Sequence, residues 1–123
     1  MTKLCPSAPC EEDGLLIGIV QPDATVAIAA RAMPLSREFV EAASAGRKPE
    51  MRFRFAGACV EQNCAQWKKG KCGIPDRVRK SLVDHELPAA VQNCAIRADC
   101  RWFAQDSYAA CKICPLVTTQ RLA

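Results

Sequence analysis

Histidine is almost absent from this chain, with a single residue at position 85 of 123, so metal sites built on paired histidines are excluded. The Cys-x2-Cys knuckle occurs once, at Cys111 and Cys114, and the two-knuckle pattern of structural zinc ribbons is therefore missing. Long apolar runs are missing too. Leu15 to Val20 spans six residues interrupted by Gly18, too short for a membrane span or the core of a secretory leader. There is no Walker A loop, no dinucleotide fingerprint and no Ser/His/Asp arrangement, so no catalytic residue is assigned.

Cysteine is what the chain has in excess. Nine are present: Cys5, Cys10, Cys59, Cys64, Cys72, Cys94, Cys100, Cys111 and Cys114. A chain of 123 residues buries roughly two-thirds of its unfolded surface and can fold without staples, so stability does not explain them. An odd count argues against a closed disulfide framework. The N-terminus, Met-Thr-Lys-Leu-Cys-Pro, lacks a charged leader followed by a long apolar stretch, and the expectation is a cytoplasmic protein whose thiols stay reduced.

The cysteines fall into two sets. The C-terminal set reads Cys94-x5-Cys100-x10-Cys111-x2-Cys114-Pro115, four thiolates at irregular spacing with a proline after the last. Soft thiolates suit zinc as well as iron, so spacing decides between them, and this spacing points to an iron–sulfur cluster. The ending Cys111-x2-Cys114-Pro115 is similar to the close of the bacterial ferredoxin run, although the rest of that run is missing. The Cys-x3-Cys-x2-Cys triplet of the radical S-adenosylmethionine enzymes is missing as well. The middle set, Cys59-x4-Cys64-x7-Cys72, offers three thiols and needs a fourth ligand. Cys10 or Cys5 folding across from the N-terminal arm, His85, or a carboxylate such as Asp76 or Glu61 would complete it. With none of these, one iron stays open and an enzymatic or sulfur-transfer role follows. Trp67, Trp102 and Phe103 lie close to the cysteines in sequence and are candidates to shield the clusters from water.

The expected fold is α+β, in one domain. Residues 1–14 form a polar arm. Residues 15–58 form a small part with a three-stranded antiparallel or mixed sheet under one helix. Residues 59–114 form a cysteine-rich, mostly helical or irregular part, and 115–123 a tail. Leu15 to Val20 and Thr25 to Ala30 flank Gln21-Pro22-Asp23 as a hairpin. Ser36 caps a helix that Gly46 ends, and Met51, Phe53 and Phe55 alternate with Arg52 and Arg54 as a half-buried strand. A second helix is expected from Asp76 to about Glu86.

Charge is uneven. Residues 47–80 hold ten Lys or Arg against three acids. Two oxidised four-thiolate cubanes, at about −2 each, would bring the formal net charge of +4 near zero. The expectation is thus one or two [4Fe-4S] clusters in a small electron-transfer or redox accessory protein serving a redox partner protein or enzyme, with no membrane involved. The alternatives are an open-iron centre in catalysis or sulfur transfer, and a zinc-stabilised module binding nucleic acid or protein. Nucleic acid is the less favoured partner.

Overall fold

The computed structural model describes residues 3–83 and 86–118. Six strands and four α-helices are ordered β1 (Leu4–Ala8), β2 (Leu15–Val20), β3 (Val26–Pro34), α1 (Arg37–Ala43), β4 (Phe53–Ala58), β5 (Trp67–Lys68), β6 (Lys71–Cys72), α2 (Ile74–Ser81), α3 (Arg101–Asp106) and α4 (Tyr108–Ile113). The class is α+β. A four-stranded antiparallel sheet has the order β1-β4-β2-β3, and β5 and β6 form a separate hairpin.

The fourth strand is the difference from expectation. Residues 4–8, assigned to a polar arm, pair antiparallel with β4, Leu4 opposite Ala58 and Cys5 opposite Gly57. A short strand at a sheet edge needs no apolar alternation of its own, because backbone hydrogen bonds hold it. The hairpin of β2 and β3 forms where the turn residues predict it. Asp23 accepts from the Thr25 amide and hydroxyl at 3.1 and 2.6 Å, which holds its carboxyl below the usual range. Ser36 caps α1, accepting from Phe39 N at 3.1 Å. The second helix starts earlier than expected, at Ile74 with Pro75 in its first turn, and ends at Ser81. Lys69 and Gly70, both at positive φ, turn β5 into β6.

The sheet is covered on two faces. On one, Phe39 of α1 packs edge-on against Phe53 and Phe55 at 5.8 and 6.4 Å. Arg54, between those phenylalanines, points to the other face and is buried rather than solvated, because the cysteine-rich half packs there. A continuous apolar cluster runs from Ile17 and Ala56 of the sheet through Ile74 and Val78 of α2 to Trp102 and Val117, and it takes in Cys72 and Cys100. An isolated parallel bridge between Leu4 and Cys100 ties the edge strand to the start of α3. Among the described residues no helix is long and apolar enough to cross a membrane.

Neighbouring strands approach closely at Gly18, where β2 is flanked by β3 and β4. A Cβ there would stand 2.8 Å from Val26 Cγ1 and 2.9 Å from the Ala27 carbonyl oxygen. Overpacking of this kind costs about 1–3 kcal/mol. The Gly18→Ala variant is therefore expected to unfold at lower temperature and lower urea than the parent, as thermal and urea melts will measure.

Candidate metal centres

All nine cysteines are free thiols. Eight of them sort into two groups of four, each lining a cavity of its own. Cys94, Cys100, Cys111 and Cys114 line a narrow, apolar cavity walled by Pro6, Ile17, Ile28 and Phe103. Cys5, Cys59, Cys64 and Cys72 line a much wider one, with Trp67, Ile74 and Arg101 on its walls and Glu11, Glu12 and Asp13 at its side. Trp102 lines both.

Electrostatics divides the thiols in the same way. Burial pushes Cys5 up to about 11; the Ser7 amide opposes this, while the charges of Cys72, Cys59 and Cys64 add to it. Burial raises Cys72 as well, against the Ile74 amide and the Trp102 indole, with Cys64 and Cys59 adding. In the other group burial takes Cys100 to about 11 against the Phe103 and Trp102 amides, and Cys114 and Cys94 add to it. Burial raises Cys114, which Arg54 opposes and Cys94 and Cys111 reinforce. No coupling crosses between the groups in these four cases.

A local device recurs. The amide two residues after Cys5, Cys72 and Cys100 interacts with the sulfur, and Gln66 N donates to Cys64 Sγ at 3.4 Å. Such N–H groups favour thiolate over thiol, which is the form a metal takes. Trp102 is 1 % exposed, and its Nε1–H makes no complete hydrogen bond while acting on the Cys72 sulfur as a donor favouring the thiolate. From the same helix Gln105 clamps Cys72, accepting from its amide at 2.7 Å and donating to its carbonyl at 3.2 Å. One helix, α3, thus serves both groups.

Two arginines stand against the C-terminal group. Arg54 Nη1 donates to Cys114 Sγ at 3.1 Å, and Nη2 donates to the Cys114 carbonyl at 3.0 Å and to the Val117 carbonyl. Burial disfavours the Arg97 charge, yet a hydrogen bond to Cys111 and the charges of Cys111 and Cys94 hold its pKa above the usual value. At the other group Arg101 is paired with Glu61 at 3.0 Å and lies over Trp67 at 5.1 Å.

The candidates separate accordingly. Trp67, Trp102 and Phe103 do line the cavities. Cys10 is not brought to either group. Its amide donates to Glu50 at 2.7 Å, and burial and Glu50 raise its thiol pKa while Arg52 lowers it. Cys5 stands in the fourth place instead, delivered by the edge strand. Asp76 is occupied by Lys71 and Arg79 at 3.1 and 3.2 Å and Glu61 by Arg101, so neither carboxylate is free to ligate. His85 lies outside the described residues. Sequence reasoning missed Arg54, Arg97 and Gln105. It had one usable signal for Cys5, since Cys5-Pro6 and Cys114-Pro115 are the cysteines followed by proline.

Among the described residues no group of three or more His, Cys, Asp or Glu side chains stands at the spacing of a bound metal ion. A single zinc needs four sulfurs about 2.3 Å from one point. Eight cysteines in two fours, with backbone amides and the Trp102 indole N–H acting on sulfur, are a donor set that fits iron–sulfur clusters. No family model, curated protein or solved structure matches the chain.

The raised thiols give the metal-free protein a pH dependence. Between the ordinary value of 9.0 and about 11, the unfolded chain has released protons that folded Cys5 and Cys100 still hold. Their contribution to stability is complete below pH 9 and is lost as pH rises to about 11. Urea unfolding of reduced, metal-free protein is expected to show falling stability over that range, and a Cys5→Ser/Cys100→Ser double variant a smaller fall.

Proposed function

We propose that this chain is an iron–sulfur protein with two [4Fe-4S] clusters that passes electrons to or from a partner protein. The observation that carries the reading is the division of eight cysteines into two complete groups of four, with the ninth left outside. Clusters of this type supply reversible one-electron transfer when bound.

The chain's residues account for the rest. The four cysteines of each group serve as thiolate ligands. A four-iron cluster would take one thiolate at each iron, so it asks for four thiolates spread around a cavity rather than converging on one point, which favours clusters over zinc. Pro6, Ile17, Ile28 and Phe103 keep water from the C-terminal centre. Cys64 is exposed, which makes the Cys5 group the natural place for a partner to reach. Trp102, lining both cavities, fills the gap between the centres.

Cys5 in the fourth place leaves neither group short of a protein ligand, and this favours electron transfer over open-iron catalysis or sulfur transfer. Two closed, reduced-thiol sites suit the cytoplasm, where thiols persist. Within the basic stretch 47–80, the exposed lysines and arginines of residues 68–80 offer a docking surface for an acidic redox partner, with nucleic acid the weaker alternative.

Cys5 and Cys10 provide the test. After anaerobic reconstitution, Cys5→Ser is expected to hold half the iron and half the acid-labile sulfide of the parent, and Cys10→Ser as much as the parent. Loss of iron from Cys10→Ser with Cys5→Ser unaffected would overturn the ligand assignment. Full iron in both variants would overturn Cys5 as the fourth ligand and favour an open iron at the second centre.

A further inference from the structure

Charged side chains are almost never fully buried without a partner, because an ion loses its hydration on entering the core. Arg54 is 5 % exposed, and among the described residues it enters no ion pair. It is the second residue of β4, between two phenylalanines, on the face that alternation gives to polar side chains but that the cysteine-rich half buries. Its donors converge on one turn: Nη1 on Cys114 Sγ, and Nη2 on the carbonyls of Cys114 and Val117. Its guanidinium carbon also lies 6.0 Å from the centre of the Trp102 ring. The partner it lacks among carboxylates is therefore the sulfur of Cys114 and whatever negative charge that sulfur carries.

We propose that Arg54 is the positioning residue of the Cys94/Cys100/Cys111/Cys114 centre, fixing Cys114 as a ligand and favouring the reduced state of the cluster held there. This rests on the cluster reading above and assigns a role that the ligand set alone does not contain. Adding one electron to a four-thiolate cluster adds one negative charge, with no bond made or broken. The electron comes from an external one-electron donor, and dithionite supplies it in the experiment. A fixed guanidinium against a ligand sulfur, inside a desolvated cavity, attracts that extra charge more strongly than water at the surface would. The wider Cys5 group has no equivalent, since Arg101 on its wall is neutralised by Glu61 and three acids stand beside it.

The experiment is a redox titration of anaerobically loaded protein, followed by electron paramagnetic resonance. It is run in the Cys5→Ser background, where the C-terminal centre is observed alone. Relative to Arg54, the Arg54→Gln variant is expected to need a potential more negative by about 59 mV or more, a tenfold change in the reduced-to-oxidised ratio for one electron. Arg54→Lys keeps the charge without the fork and is expected to fall between the two. An unchanged potential in Arg54→Gln with iron retained would overturn the proposal and leave the cluster reading standing. Loss of this centre's iron from both variants, together with a lowered melting temperature of the metal-free protein, would also overturn it, because Arg54 would then act on folding alone. Absence of iron from the parent protein would overturn both.

Discussion

A thiol buried beside three others resists ionisation, because its thiolate would face a poorly polarisable interior and the charge of its neighbours together. This chain makes that arrangement twice, and much of its architecture supports it. Cys5 and Cys100 are held near 11, and amide groups two residues downstream are turned toward the sulfurs. Burying unpaired ions costs several kcal/mol each, so leaving the Cys5, Cys72 and Cys100 thiolates without counter-charge would outweigh the marginal stability of a domain this size. Protonation resolves the conflict in the metal-free chain, and bound iron would resolve it in the loaded protein proposed above. On that proposal, metal binding would be coupled to release of thiol protons and to the fold itself.

The fold serves this constraint by joining distant segments. The edge strand carries Cys5 from the start of the chain to the β4 end, beside Cys59. Helix α3 begins at Cys100, places Trp102 between the two cavities and reaches Cys72 through Gln105. Arg54 crosses from the sheet to the Cys114 turn. Each centre therefore takes side chains from both the sheet and the cysteine-rich half.

The grouping of Cys94, Cys100, Cys111 and Cys114 around one cavity was legible in sequence because the four lie within 21 residues and end in Cys-Pro. The hairpin of β2 and β3, the Ser36 cap and the strand bearing Phe53 and Phe55 were legible from local chemistry. Cys5 was not singled out, since its place depends on pairing between Leu4 and Ala58, residues 54 apart, which no local pattern records. The burial of Arg54 is not legible in the half-buried strand pattern for a related reason. Strand alternation tells which residues share a face, but not whether a later segment covers that face. The second helix was placed late because Asp76 resembles a cap, whereas Pro75 sits in the first turn and Asp76 pairs with Lys71.

The central claim is that two four-thiolate groups each hold an iron–sulfur cluster. Its most direct test is the metal content of protein purified without oxygen, with iron, acid-labile sulfide and zinc measured on the same sample. The account predicts about eight irons and eight sulfides per chain, with little zinc, as two cubane clusters require. Stoichiometric zinc without iron or sulfide would contradict it, and would make the two cysteine groups structural sites of a binding module.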